Sequence, residues 1–190
     1  MGQTWGDSME FKTVDHWDEE IWKKWRSIYH EAFGEKGAKS EKIIRNMFRK
    51  QTCFFHIVQD ESEVYAIALS GKLRGTKILL IDYLAVREKH RNRGVGRMII
   101  NYIMSWSINR EFDSIVIEVE AEQTSENLAR IRFWEKCNFM LLPYIHHYRV
   151  VPEPYQAMVL KLVPEAELPE KGEEVFRLIE RFHKKSFQGA

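Results

Sequence analysis

Residues Ile78–Trp106 read ILLIDYLAVREKHRNRGVGRMIINYIMSW. An apolar run of strand type, Ile78–Val86, leads into a basic turn that carries Gly94 and Gly96. The turn then opens into an amphipathic helix with Ile99, Tyr102, Ile103 and Trp106 on one face. Strand, glycine-containing turn and helix start, in that order, make an anion cradle. Amides in the first turn of a helix lack helical partners, and the helix dipole adds favourable potential for a phosphate. Gly94 and Gly96 let the backbone approach a ligand closely, while Arg91, Arg93 and Arg97 supply forked cationic donors. A phosphorylated cofactor is the expected occupant. Two familiar cradles fail. The chain has no G-x-x-x-x-G-K-[ST] run, and Gly94-Val95-Gly96 continues as Arg97-Met98-Ile99, without the third glycine of a dinucleotide fingerprint.

What does fit is R-x-x-G-x-G, as Arg91-Asn92-Arg93-Gly94-Val95-Gly96. This pattern resembles the acetyl-CoA pyrophosphate loop of the GCN5-related N-acetyltransferases (GNAT). A second segment, Asn127 to Phe139 (NLARIRFWEKCNF), is similar to that family's later signature, roughly N-x-x-A-x-x-F-Y-E-K-x-G-F. Asn127, Phe133, Glu135, Lys136 and Phe139 stand where the pattern expects them. The segment follows Ser114–Val119, which resembles the family's L-E-V strand. The resemblance spans roughly residues 10 to 163. It implies an α+β fold: a mixed, largely antiparallel sheet of about seven strands, flanked by helices and splayed near its fourth and fifth strands.

The elements read in the matching order, βααβββαβαββ. Met9–Val14 is a short strand, and Asp18 caps a helix with apolar positions Ile21, Trp22, Trp25, Ile28, Tyr29, Ala32 and Phe33. Gly34 and Gly37 end it, and Ser40 caps a second helix. Cys53–Gln59 and Val64–Ser70 form a hairpin, and Gly71–Lys77 turns into the strand at Ile78. After the cradle helix come the strand at 114–119, a helix near 126–137, and closing strands near 139–142 and 155–162. The acetyltransferase domain is expected over residues 1–163. Residues 164–190 then hold a linker, PEAELPEKG, and an extra amphipathic helix marked by Val175, Phe176, Leu178, Ile179 and Phe182. That stripe has to be buried against its own domain or against another subunit, which leaves a homodimer open.

Composition narrows the function. A chain of 190 residues with 44% hydrophobic and 13% aromatic content is a folded globule, not a disordered segment. A net charge of +1 gives no pull toward nucleic acid or an anionic membrane, and no apolar run approaches the ~18 residues of a spanning helix. The start, MGQTWGDSMEFK, has neither the basic start nor the apolar run of a secretory signal, and Gly6 stands where a myristoylation motif expects Ser or Thr. Cys53 and Cys137 lie inside apolar elements as packed, reduced thiols, so a cytoplasmic protein is expected. No metal is expected. His146-His147 lacks a Cys or acidic partner at ligand spacing and reads as a solvated loop pair, and His56 reads as a packed strand histidine.

Acetyl transfer to an amine requires that the amine lose a proton, that a donor meet the oxyanion, and that a thiolate leave. The resemblance implies acetyl-CoA as cosubstrate and places the oxyanion donor at the Leu84 amide, with Ala85 and Val86 pairing to the pantetheine arm. It places Arg91, Asn92, Arg93, Gly94, Val95, Gly96 and Arg97 on the pyrophosphate, with Asn127, Phe133 and Trp134 as further cofactor contacts. Glu118, flanked by Ile117 and Val119, stands at the Glu of the L-E-V strand, a partly desolvated setting suited to a base. Glu120 and Asp82 are the alternative carboxylates for that role, and Asp82, Glu118 and Glu120 are equally candidates to bind a cationic acceptor without taking its proton. Many relatives carry a Tyr where this chain has Trp134, as the acid for the departing sulfur, and an indole cannot fill that role. Tyr144 or Tyr148, in the loop before the last strand, are candidate substitutes. Asn138 replaces the usual helix-ending Gly, a position that asks for a left-handed conformation. The expected function is an acetyl-CoA-dependent N-acetyltransferase working by direct attack of a primary amine. The alternative is a catalytically degenerate acyl-CoA-binding regulatory or interaction module.

Overall fold

The computed structural model describes residues 9–190, apart from the side chains of residues 35 and 36. The Met-Gly start, Gly6 and the first eight residues of the expected domain lie outside the described part. The elements run β1 (Glu10–Val14), α1 (Glu19–Gly37), α2 (Glu41–Arg49), β2 (Cys53–Gln59), β3 (Val64–Lys72), β4 (Ile78–Val86), α3 (Val95–Asn109), β5 (Ser114–Glu120), α4 (Ser125–Glu135), β6 (Met140–His147), β7 (Pro154–Lys161) and α5 (Gly172–Phe187). A 3₁₀ turn at Glu88–His90 precedes α3. The strands form one seven-stranded sheet in the order β1-β2-β3-β4-β5-β7-β6. The β4–β5 pair is parallel, and β1–β2, β5–β7 and β6–β7 are antiparallel, so the sheet is mixed as expected. The chain divides into two compact units, with breaks after Ser70 within β3, after Asp82 within β4, after Ile103 within α3 and after Gln188.

Among the described residues, the first unit takes 9–70, Tyr83–Ile103 and Gly189–Ala190. Asp18 caps α1 by accepting from the Ile21 amide at 2.9 Å. The helical spacing of Ile21, Trp22, Trp25, Ile28 and Tyr29 buries all five. Trp25 meets Tyr29 at 4.5 Å and Phe55 of β2 at 4.7 Å, and Phe48 of α2 closes on Phe55 at 4.5 Å. Gly34 breaks the helix with φ +59, a conformation only glycine adopts readily, and helical turns resume as far as Gly37.

His56 is fully buried and hydrogen-bonded on both ring nitrogens, to Ser70 Oγ at 2.7 Å and Thr13 Oγ1 at 2.8 Å; Thr13 continues the chain to Tyr102 Oη. Burial lowers its pKa from the usual 6.5 to about 3. The folded state therefore binds this proton more weakly than the unfolded state. The stabilising contribution is whole above pH ~6.5 and is lost as pH falls from there toward ~3, at about 1.4 kcal/mol per unit. Denaturant titrations at pH 7 and pH 5 should show wild type losing on the order of 2 kcal/mol at this site. His56→Leu, already weaker at pH 7, should lack that part of the acid loss.

The second unit comprises Gly71–Asp82 and Met104–Gln188. Its core is β5, where Ile115, Val116, Ile117 and Val119 are buried, paired to β7 along its whole length from Ser114↔Lys161 to Glu120↔Tyr155. The helix that follows the linker packs against β6 and β7. Val175, Phe176, Ile179 and Phe182 are buried there, so the stripe is satisfied within its own unit. Two glycines fix its placement. A Cβ on Gly71 would stand 2.1 Å from the Phe182 ring, and one on Gly172 would stand 2.6 Å from the Tyr144 Cβ.

Several boundaries differ from the expected ones. β3 runs on through Gly71 to Lys72, in place of a turn starting there. α4 begins at Ser125, because Thr124 caps it by accepting from the Asn127 amide at 3.1 Å. The first closing strand extends to His147, where the apolar pattern had ended it near 142. Pro143 has no amide to donate, and the β6–β7 register shifts between Leu141 and Ile145, which hid the alternation. Tyr144 and His146-His147 are therefore strand residues, not loop residues. Asn138 ends α4 at φ +67 in the left-handed conformation its position requires.

Candidate active site

At the C-terminal end of β4, in the first unit, Leu84 and Val86 are half-buried and Ala85 is buried. The turn beyond is tied down by its own proximal charges. Arg87 donates to the Val64 carbonyl at 3.0 Å and lies 3.9 Å from Glu31, which also accepts the Glu88 amide. Lys89 and His90 both reach Glu63, at 2.6 and 3.0 Å. These contacts hold Glu63 below the usual carboxylate range, through Lys89 first. Arg91, Arg93 and Arg97 are exposed, with the Arg91 Nε donating to the Val86 carbonyl at 3.1 Å. Asn92 (φ +59) and Gly94 (φ +85) are both left-handed, and the first helical hydrogen bond is Met98 N–H to Gly94 O at 3.1 Å. A Cβ placed on Gly94 would meet no protein atom within 4 Å beyond its chain neighbours. The turn is an open loop at a helix start, with buried Val95 as its anchor. That geometry suits a pyrophosphate.

The second unit holds the carboxylates. The registered β4–β5 pairs end at Ile81↔Ile117, so Asp82 and Glu118 each stand one residue past the last of them. The Glu118 side chain is 16% exposed, and each oxygen accepts one hydrogen bond. Tyr148 Oη donates to Oε1 at 2.5 Å, and His183 Nε2, from α5, donates to Oε2 at 2.8 Å. Burial, then the Glu118 charge, pushes the Tyr148 phenol far above its ordinary range. Aromatic rings pack around this carboxylate. Tyr148 meets His146 at 4.5 Å, Tyr155 at 5.7 Å and Phe176 at 6.3 Å, and His146 stacks on Phe176 at 4.3 Å. His146 Nε2 also lies 3.3 Å from Glu180, out of line for a hydrogen bond. Burial and the Glu120 charge raise the Tyr155 phenol to about 12.

The other expected residues are placed differently. Glu120, two residues on from Glu118 along β5, lies 3.9 Å from Arg130 as a partly exposed ion pair. Asn127 is buried. Its amide donates to the Glu122 carbonyl and its oxygen accepts from Arg130, so the side chain braces the β5–α4 loop. Trp134 packs edge-on against Phe133 and Phe139, at 5.4 and 5.0 Å. Tyr144 faces the start of α5, 5.9 Å from Phe176, and makes no hydrogen bond to Glu118. His183 was missed. It lies beyond the region of the resemblance, on a helix that reads only as an apolar stripe. Among the described residues no group of His, Cys, Asp or Glu is arranged to hold a metal ion, and no helix is long and apolar enough to cross a membrane.

The family model for the acetyltransferase (GNAT) family matches residues 16–139, about two thirds of the chain. The chain belongs to the GNAT family. No curated protein sequence matches it. Among solved structures, a protein described as a GNAT-family acetyltransferase from Bacteroides thetaiotaomicron superposes with a TM-score of 0.71 at 19% identity, covering 92% of this chain and 96% of that one. A Salmonella typhimurium acetyltransferase homologue solved with acetyl-CoA gives 0.61 at 15% identity, over 85% and 98% of the two chains. A Bacillus subtilis acetyltransferase solved with CoA gives 0.59 at 12%, over 82% and 99%. At these identities the likeness establishes the GNAT fold, while the acceptor has to be argued from this chain's own residues.

Proposed function

We propose that this GNAT protein is an acetyl-CoA-dependent N-acetyltransferase that moves acetyl to a primary amine by direct attack within a ternary complex. In this reading the Arg91–Arg97 loop holds the CoA pyrophosphate through first-turn amides and exposed arginines. Ala85 and Val86 pair with the pantetheine arm, and the Leu84 amide meets the thioester oxygen as it becomes an oxyanion. Phe133 and Trp134 line the cofactor from α4, with Asn127 acting through the loop it braces. Asp82 and Glu120 draw the acceptor in as an ammonium, and Glu118 takes its proton. Two buried, unbridged cysteines suit a cytoplasmic setting.

Neither tyrosine is needed to protonate the sulfur. The Tyr148 hydroxyl donates to Glu118 and holds its proton tightly, and Tyr144 is packed under α5. A thiol has a pKa of about 8.5, so the thiolate leaves without an acid.

The observation that carries catalysis, beyond acyl-CoA binding alone, is Glu118 held on both oxygens at the end of the registered β4–β5 pairing. Trp134 favours the second reading, a binding module without turnover. Incubating the protein with acetyl-CoA and 1,4-diaminobutane, spermidine, glucosamine, lysine or an alanyl peptide, and following thiol release, separates the two. Turnover with at least one amine is expected. Tight CoA binding by calorimetry with no turnover across the amines would leave only the binding module.

A further inference from the structure

We propose that His183, on the C-terminal helix α5, is a positioning residue of the active site: its imidazole N–H fixes the Glu118 carboxylate in the orientation from which it takes the acceptor proton. The inference rests on the acetyltransferase reading above and adds α5 to its machinery. The contact is specific. His183 Nε2 stands 2.8 Å from Glu118 Oε2, and both side chains are largely covered, at 21% and 16% exposure. A carboxylate on a strand turns easily about its terminal torsion unless something holds its plane. Tyr148 alone, on Oε1, would leave that rotation open. With His183 on Oε2 the plane is set at both ends, and the remaining lone pairs point in fixed directions.

The helix is built to deliver this residue. Phe182, the neighbour of His183, sits where a Gly71 Cβ would be, so β3 accepts the helix only because it has no side chain there. Gly172 fixes the other end against Tyr144 in the same way. Phe176 and Ile179, two turns and one turn before His183, are buried on the same side of α5. The register of α5, and with it the reach of His183, is set by close packing and not by the exposed ion pairs of its outer face, such as Arg177–Glu173. Other groups facing the pair are Tyr148, Asp82 of β4, and Glu180 with His146 across α5 and β6.

The test separates a hydrogen-bond donor from a space-filling ring. His183→Gln keeps an N–H of similar reach and loses the ring; His183→Phe keeps the ring and loses the donor. Turnover is measured with acetyl-CoA and whichever of the five amines named above reacts fastest. His183→Gln is expected to keep about a third of wild-type kcat or more, whereas His183→Phe falls about tenfold or more in kcat. Acetyl-CoA affinity by calorimetry and the melting temperature should stay near wild type in both. If the Phe variant matches wild type, or the two variants lose alike, the positioning role is overturned. His183→Ala with added imidazole gives a second reading: restored turnover supports the donor role, and its absence with the fold intact counts against it. No transfer by the wild-type protein to any of the five amines would overturn the catalytic reading underneath, a result distinct from unequal or equal variants of an active enzyme.

Discussion

Glu118→Gln is expected to lower turnover about 10²-fold or more while acetyl-CoA affinity barely changes. The substitution keeps the shape and the acceptor oxygen but removes the charge and the ability to take a proton. The local cost is modest, because Glu118 is a half-buried residue of a strand paired across to Ala157. With the amide oxygen turned to His183, that N–H still donates to it, and the amide nitrogen can donate in turn to the Tyr148 hydroxyl oxygen. A large loss therefore reports on the chemistry and not on the fold. Stopped-flow or steady-state thiol release across pH 6–9 checks it. If the variant keeps its rate and its pH profile, proton removal belongs to Glu120, Asp82 or solvent. The Arg130 pairing of Glu120 makes that carboxylate the weaker substitute.

Gly94→Val is expected to raise the acetyl-CoA dissociation constant about tenfold or more, equivalent to about 1.4 kcal/mol of lost binding. Gly94 has φ +85, where a β-branched residue is strained, and the strain alone costs about 1–2 kcal/mol of loop stability. The protein offers room, with no atom within 4 Å of the new Cβ, so a clash appears only when a phosphate occupies the loop. Two readings check the prediction. Calorimetry should show the weakened binding. A small change in melting temperature should show that buried Val95 still anchors the helix start. Unchanged affinity would move the pyrophosphate away from Arg91–Arg97.

Much of the cradle is legible in the sequence because its requirements are local. A run of apolar residues, a left-handed glycine and a helix start are each properties of a few neighbouring residues, and Ile78–Trp106 carries all three in order. The α1 stripe and the Asp18 cap are local in the same way, and so is Asn138 at the end of α4. Glu118 is legible through its motif, but its environment is not. Tyr148 and His183 lie 30 and 65 residues further along the chain. Only the pairing of β5 with β7, and the packing of α5 on β6 and β7, brings them to one carboxylate. The full length of β6 is not legible, because Pro143 and a register shift break its alternation, and it follows from pairing with β7. The sequence by itself determined the order of elements and the glycine-containing loop at the start of α3, since those follow from backbone preference and hydrophobic period. The tertiary structure decided which side chains meet Glu118. That depends on two glycines, Gly71 and Gly172, whose missing side chains let α5 approach, and no periodicity records a space left empty for a helix far along the chain.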